Sequence, residues 1–349
     1  MNPTEQFDAA LASDAPIAAL APMQDVTDLP FMDLIARYGA PDLFFTEYFR
    51  VYPNSRLDKK ILRSITENET GRPVLAQMIG NDIDWLTRTA RELERYPIAA
   101  VDLNLGCPAP VVYRKCAGGG LLRDPDRVDR ILGALREAVS GRFTVKTRVG
   151  FDSCKVFDEL LPIFAKHELD LLTVHGRTVK EAYKSAVHYD LIANAARAMR
   201  CPVLANGNVY SAQKAQAVAD QTGAAGVMIG RGAIRNPWIF RQSRQLQAGE
   251  PVFVPRGRDA LAYIRELFES VKPPGIEPDQ HVRKMKKYMN FVGLGVEPTG
   301  RFLHEIRRAT TERDFFLICE RFLDNDEPTP LEPYDVPLGE RDVLAGVHT

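Results

Sequence analysis

The sequence predicts an α/β fold, a (β/α)8 (TIM) barrel followed by a C-terminal all-helical domain, on three observations. Eight short apolar segments recur between stretches of helical periodicity, polar residues gather at the back of each segment, and only helical periodicity remains after residue 258. The segments are 17–23, 43–49, 73–80, 99–107, 143–149, 171–177, 201–207 and 226–231. Between them, 82–95, 125–139 and 211–220 carry apolar residues at three- and four-residue steps. Alternation of this kind implies parallel strands, and eight repeats favour a closed barrel over an open sheet. A doubly wound sheet would place G-x-G-x-x-G after its first strand, whereas residues 21–30 (APMQDVTDLP) contain no glycine.

The organisation read from this pattern is an N-terminal extension (1–16), a catalytic barrel (17–245) and a linker with two prolines and two glycines (246–257). A helical domain (258–324) and an acidic, proline-rich tail (325–349) complete the chain. The helical periods of the second domain fall at 258–271, 281–292, 299–309 and 311–323.

Among 349 residues, 45 Lys and Arg face 46 Asp and Glu, which excludes a uniformly basic protein but not a local basic face. Charged residues at 26% and aromatics at 9% exclude wholesale disorder. Five scattered cysteines without a C-x-x-C pair argue against a disulfide framework or a metal site. The acidic start MNPTEQFDAALASDAP lacks a basic, apolar leader, and no apolar run is long enough to span a membrane. A cytoplasmic protein with no membrane partner is therefore expected.

Chemistry concentrates at the ends of the eight segments, where barrel enzymes hold their active sites. These ends carry Met23-Gln24, Glu47, Gln77, Asn104, Lys146 and Arg148, His175 and Arg177, Asn206 to Asn208, and Gly230-Arg231. Cys107 is followed by Pro108, which disfavours the α conformation, so the thiol should project from an extended strand end. A free thiol, with its ordinary pKa of about 8.5, serves as proton donor or nucleophile. Lys146, Arg148 and His175 converging on one mouth call for an anionic ligand or a cofactor that gains negative charge. Gln77 both donates and accepts, which suits the edge of a heteroaromatic ring. Asn206-Gly207-Asn208 and Gly230-Arg231-Gly232 are glycine-bearing loops after the seventh and eighth segments, the usual phosphate position of this fold.

Residues 281–308 carry Arg283, Lys284, Lys286, Lys287, Arg301, Arg307 and Arg308 against Glu297 and Glu305, a formal +5. With His281, Tyr288 and Phe291 interleaved, this stretch suits RNA through phosphate contact and base stacking; the alternative is a solvated helix face with Tyr288 and Phe291 in the core. The tail at 325–349, with six acids and one Arg, cancels that charge in the whole-chain sum.

At these residues the chain resembles the tRNA-dihydrouridine synthases. The resemblance rests on APM (21–23), TEYF (46–49), AQMIG (76–80), NLGCPAP (104–110), AGGGLLRDP (117–125), KTRVG (146–150), TVHGRT (173–178), LANGNV (204–209) and MIGRGA with NPWIF (228–240). The spelling GCPAPVVYRKCAGGGLL is nearest to the bacterial B-type subgroup. It implies an FMN enzyme in which NADPH reduces the flavin, and the flavin delivers hydride to C6 of a tRNA uridine while a cysteine, here Cys107, protonates C5. It also implies FMN contacts at Pro22, Met23, Gln24, Gln77, Lys146, His175, Asn206, Gly207, Asn208, Gly230 and Arg231. Asn104, Arg148 and Tyr183 match positions that hold the uracil ring, and the basic helix supplies the tRNA surface. Two rivals stand beside this reading: an FMN barrel acting on a free small molecule such as dihydroorotate, and a non-catalytic RNA-binding barrel. The basic helical domain speaks against the first, and Cys107 with Lys146, His175 and both phosphate loops against the second.

Overall fold

The computed structural model describes residues 1–334, which group into two compact units. The first comprises 1–33, 41–209 and 214–229; the second comprises 34–40, 210–213 and the chain from 230 onward.

The first unit is a closed parallel barrel. Its strands are β1 (Ile17–Leu20), β2 (Phe44–Phe45), β3 (Phe49–Arg50), β4 (Val74–Ile79), β5 (Ala100–Leu105), β6 (Phe143–Arg148), β7 (Leu171–His175), β8 (Val203–Asn206) and β9 (Gly226–Ile229). They pair in the order β1-β9-β8-β7-β6-β5-β4-β2. The circle closes where the Leu20 N–H donates to the Leu43 carbonyl at 3.0 Å and Ala19 bridges Leu43. Gly226 is required at the β1–β9 seam, since a Cβ there would lie 2.1 Å from the Ile17 carbonyl oxygen.

The second expected strand, 43–49, is instead two short pieces. β2 pairs with Val74 and Leu75 and β3 with Met78 and Ile79. Between them the Thr46 hydroxyl, not a backbone carbonyl, accepts the Gln77 N–H at 3.0 Å. The ladder breaks there, leaving Glu47 and Tyr48 out of register.

Residues 1–16 contain a helix, Pro3–Leu11, started by an Asn2–Glu5 capping box. Phe7 is fully buried against Ile17, Leu43, Phe45, Leu75, Leu171 and Leu204, at the N-terminal ends of the strands. The extension therefore plugs the end of the barrel opposite the site. Arg142 pairs with Asp8 at 2.9 Å and with Asp170 at 2.9 Å, tying the helix to the adjoining loops.

The second unit is helical: Gly257–Ser270, Pro278–Val292, Arg301–Ile306 and Glu312–Leu323. Tyr263, Phe268, Met285, Met289, Phe302 and Phe315 form its buried interior. The chain after 324 returns to these helices through 334. The Gly257 N–H donates to the Glu327 carbonyl at 3.0 Å, Thr329 N–H donates to Pro255 at 2.7 Å, and Leu331 is fully buried. Arg258 pairs with Asp324 and Asp326, so part of the tail's acidity is used locally. The rest of the acidic tail, 335–349, lies outside the described residues. Among the described residues no helix is long and apolar enough to cross a membrane.

Candidate active site

Register places the polar residues of the first unit in rows across the barrel. Gln77, Asp102 and Thr144 are neighbours on β4, β5 and β6; Asn104 neighbours Lys146; Arg148, His175 and Asn206 are aligned on β6, β7 and β8. Two-residue alternation puts Asp102 and Asn104 on the same face.

The lower row forms a hydrogen-bond chain. The Thr144 hydroxyl donates to Asp102 Oδ1 at 2.6 Å and Gln77 Nε2 donates to Asp102 Oδ2 at 2.6 Å. Asn104 Nδ2 donates to Gln77 Oε1 at 2.7 Å. Asn104 Oδ1 accepts the backbone N–H groups of Gly106 at 3.0 Å and Cys107 at 2.9 Å. Burial pushes the Asp102 carboxyl up to about 6, against the hydrogen bonds from Thr144 and Gln77. The Gln77 amide is thus fully buried and engaged on both its oxygen and its nitrogen.

Cys107 sits two residues beyond β5 in a loop, half-buried, with its thiol 4.0 Å from the Tyr48 hydroxyl. Burial, then the neighbouring Cys107, push the Tyr48 phenol up to about 12. Lys146 donates to Asn206 Oδ1 at 3.3 Å, and Asn206 Nδ2 donates to the Met228 carbonyl at 2.8 Å. Burial, then the charge of Arg148, pull the Lys146 ammonium down to about 8.

Arg148 is buried, and its guanidinium donates to the carbonyls of Gly106 at 2.9 Å, Thr178 at 2.9 Å and Ala182 at 3.0 Å. It lies over the Tyr183 ring at 5.5 Å, and Tyr183 sits 6.1 Å from His175, so the three form one group. Arg148 therefore holds the Cys107 loop to the loop after β7. Pro22 and Met23 are half-buried and Gln24 exposed, its Nε2 donating to Glu47 Oε2 at 2.9 Å. Gly207 has φ +131 and its carbonyl accepts from the Tyr189 hydroxyl; Asn208 is exposed at φ 51 and its Oδ1 accepts from Arg177 at 3.3 Å.

Gly230 and Arg231 belong to the second unit, where Gly230 precedes the short helix Arg231–Arg235. Arg235 on that helix is buried with its Nε unpaired, and burial with the charge of Arg231 pulls it down to about 10. A buried guanidinium with an unpaired Nε, within the field of a second one, fits an anion such as a phosphate.

On the helix Pro278–Val292, Arg283 and Lys284 are exposed while Lys286 and Lys287 are half-buried. His281 and Tyr288 do not face outward to stack on bases; for Tyr288 the alternative of a core position holds. His281 is buried against Phe268, its Nε2 hydrogen-bonded to the Phe268 carbonyl at 2.8 Å, and Tyr288 is 3% exposed. Their spacing with Met285, Met289 and Val292 is that of the helix's core face. Arg301 is paired with Glu305, and Arg307 with Asn290.

Asp102, which lies mid-strand, Tyr48, which depends on the broken ladder, and Arg235, on a short helix, are not among the strand-end residues read from the sequence; Arg177, which is among them, is a fully buried anchor to the Ser185 carbonyl. An acid inside the apolar run AVDLNL was the available signal for Asp102. One group of potential metal ligands comes together among the described residues, Cys154, Glu181 and His188, within 4.8 Å of one another. The 3.0 Å His188–Glu181 hydrogen bond and the Thr178 N–H on Glu181 account for its arrangement.

A closed (β/α)8 barrel with a thiol, a depressed lysine and a buried amide chain at its strand ends is the construction of a barrel enzyme. The profile of the family described as "Dihydrouridine synthase (Dus)" matches residues 19–320. The chain is 32% identical to "tRNA-dihydrouridine synthase B" of Pasteurella multocida over 87% of this chain and 91% of that one. It is 30% identical to "tRNA-dihydrouridine(16) synthase" of Neisseria meningitidis over 87% and 93%, and 38% identical to "tRNA-dihydrouridine synthase B" of Yersinia pestis over 72% and 80%. The chain belongs to the dihydrouridine synthase family, FMN-dependent oxidoreductases that modify tRNA.

Proposed function

We propose that this protein reduces the C5=C6 bond of a uridine in tRNA to 5,6-dihydrouridine in the cytoplasm, with FMN as bound cofactor and NADPH as reductant. The observation that carries the reading is Cys107, a half-buried thiol whose loop is held on one side by Asn104 and on the other by Arg148.

Pro22, Met23, Gln24, Gln77, Lys146, His175, Asn206, Gly207 and Asn208 would hold FMN, and Gly230 and Arg231 match the remaining FMN positions of the family. The residues fit the group: a buried lysine whose charge is under desolvation suits an anionic heteroaromatic, and the buried, orphaned Nε of Arg235 close in sequence to Arg231 suits a phosphate. When bound, FMN supplies a two-electron carrier between NADPH and the uracil ring. Cys107 Sγ delivers the proton to C5, and solvent returns a proton to sulfur before the next turnover. Asn104 and Tyr183 orient the uracil, and Arg148 fixes the loops around it. Tyr48, neutral because its phenol is held near 12, stays a hydrogen-bond partner of the thiol and not a competing acid. A uridine must leave the folded RNA stack to reach a barrel mouth, so the tRNA needs a grip elsewhere. Arg283, Lys284, Lys286 and Lys287 would supply it through phosphate contacts.

Incubating purified protein with FMN, NADPH and an unmodified tRNA transcript should add two hydrogen atoms to at least one uridine, read by nuclease digestion and mass spectrometry. A preparation that takes up FMN and binds tRNA yet leaves every uridine unchanged overturns the proposal.

A further inference from the structure

Thr144, Asp102, Gln77, Asn104 and Cys107 lie on one hydrogen-bond chain running from the barrel interior to the reactive loop. We infer that Asp102 is a positioning residue for the reduction: its carboxylate fixes the donor–acceptor direction of the Gln77 and Asn104 amides and thereby sets the backbone of Cys107.

An ionised carboxylate only accepts hydrogen bonds, so both neighbours must donate to it. Gln77 is therefore obliged to turn Nε2 toward Asp102, which leaves its Oε1 toward Asn104. Asn104 must then present Nδ2 to Gln77, and its Oδ1 is the atom left for the N–H groups of Gly106 and Cys107. Were Gln77 to flip, two acceptors would meet at Asp102 and two donors at Asn104, both in buried surroundings where an unmatched polar contact is costly. At the far end the Gly106 and Cys107 N–H groups can only donate, so the row is pinned in one direction from both ends, and Asp102 is the side chain that pins the buried end. Asp102 touches neither loop directly; it acts through two amides. Thr144, beside Asp102 on β6, holds the other carboxylate oxygen, and Lys146 is the charged group whose field reaches Asp102.

The inference rests on the proposed role of Cys107, but its test does not require turnover. The protein stripped of flavin and free of tRNA is followed by hydrogen exchange at the Cys107 amide and by the alkylation rate of Cys107, resolved by peptide mass spectrometry. Gln77→Glu places two carboxyl groups face to face; a proton shared between them keeps the original direction, and once it is lost at alkaline pH the Cys107 amide should be protected at least tenfold less than in the wild type at the same pH. The double variant Asp102→Asn/Gln77→Glu moves the carboxylate one residue along. Asn at 102 then donates to Glu at 77, which accepts from Asn104 as Gln77 did, so exchange and alkylation should return to within threefold of wild type. Asp102→Asn alone removes the acceptor-only end and leaves the direction to the Gly106 and Cys107 N–H groups, and an intermediate effect is expected. A double variant no better protected than Gln77→Glu overturns the inference, as does an unchanged Cys107 amide in Gln77→Glu. If the single variants fail to fold, the wild type decides: selectively labelled side-chain amides of Gln77 and Asn104 should each show a slowly exchanging N–H, and fast exchange at both is contrary. Loss of dihydrouridine formation with an undisturbed Cys107 loop would overturn the inference and leave Gln77 acting at the cofactor, as the proposed function has it.

Discussion

Replacing Lys146 by Met should stabilise the flavin-free protein at pH 7 while weakening its hold on FMN. Burial, reinforced by Arg148 and opposed by Asp102, pulls the Lys146 ammonium from its ordinary 10.5 to about 8. At about 1.4 kcal/mol per pH unit, that fall costs the charged form about 3 kcal/mol in the folded state. Met carries no charge; losing the 3.3 Å hydrogen bond to Asn206 returns about 1 kcal/mol of the gain, which leaves a net of about 2 kcal/mol. The sign has a pH signature. Between about 8 and 10.5 the unfolded chain binds the lysine proton and the folded chain does not, so wild-type stability should rise with pH across that window. Urea unfolding of the flavin-stripped protein at pH 7, 8.5 and 10 measures both effects. The variant should be the more stable at pH 7 and should lack this lysine's share of the rise. Equal stabilities at pH 7 with parallel pH profiles would refute the claim that Lys146 is held charged at a cost for the sake of an anionic ligand.

Other expectations follow from single contacts. Phe7→Ala should cost about 3–5 kcal/mol in chemical unfolding, because a fully buried ring at the end of the barrel leaves a cavity among strand residues that cannot close in. Reversing charge at the exposed Arg283 and Lys284 should weaken tRNA binding at low salt and reduce the slope of log affinity against log salt by about two, with flavin content unchanged; an unaltered slope assigns that face to ordinary solvation.

The barrel was legible because parallel strands buried on both faces read as apolar runs, and their C-terminal ends read as polar stops. Seven of the eight expected segments contain a single strand, while 43–49 splits because a threonine hydroxyl takes the place of a carbonyl at Thr46. No local propensity announces that exchange; it depends on Gln77, thirty-one positions away. The helix Pro3–Leu11 was written in its Asn2–Glu5 capping box, yet its plugging role depends on where Phe7 lands. In the site, strand-end residues such as Lys146 and Asn206 could be found by position, whereas Asp102 could not, because its importance comes from direction passed along a row. His281 and Tyr288 misled for a related reason. Basic residues beside aromatics describe both an RNA face and an amphipathic helix seen end to end, and only packing against Phe268 separates the two.

On the proposed function, this chain makes dihydrouridine in tRNA with Cys107 as the proton donor. Position-resolved mapping of dihydrouridine in tRNA tests it in cells that lack the protein, that regain it, and that regain Cys107→Ala at equal abundance. At least one position should lose the modification, recover it with the wild type, and stay unmodified with the variant. A map unchanged by removal of the protein, or fully restored by Cys107→Ala, would contradict the account.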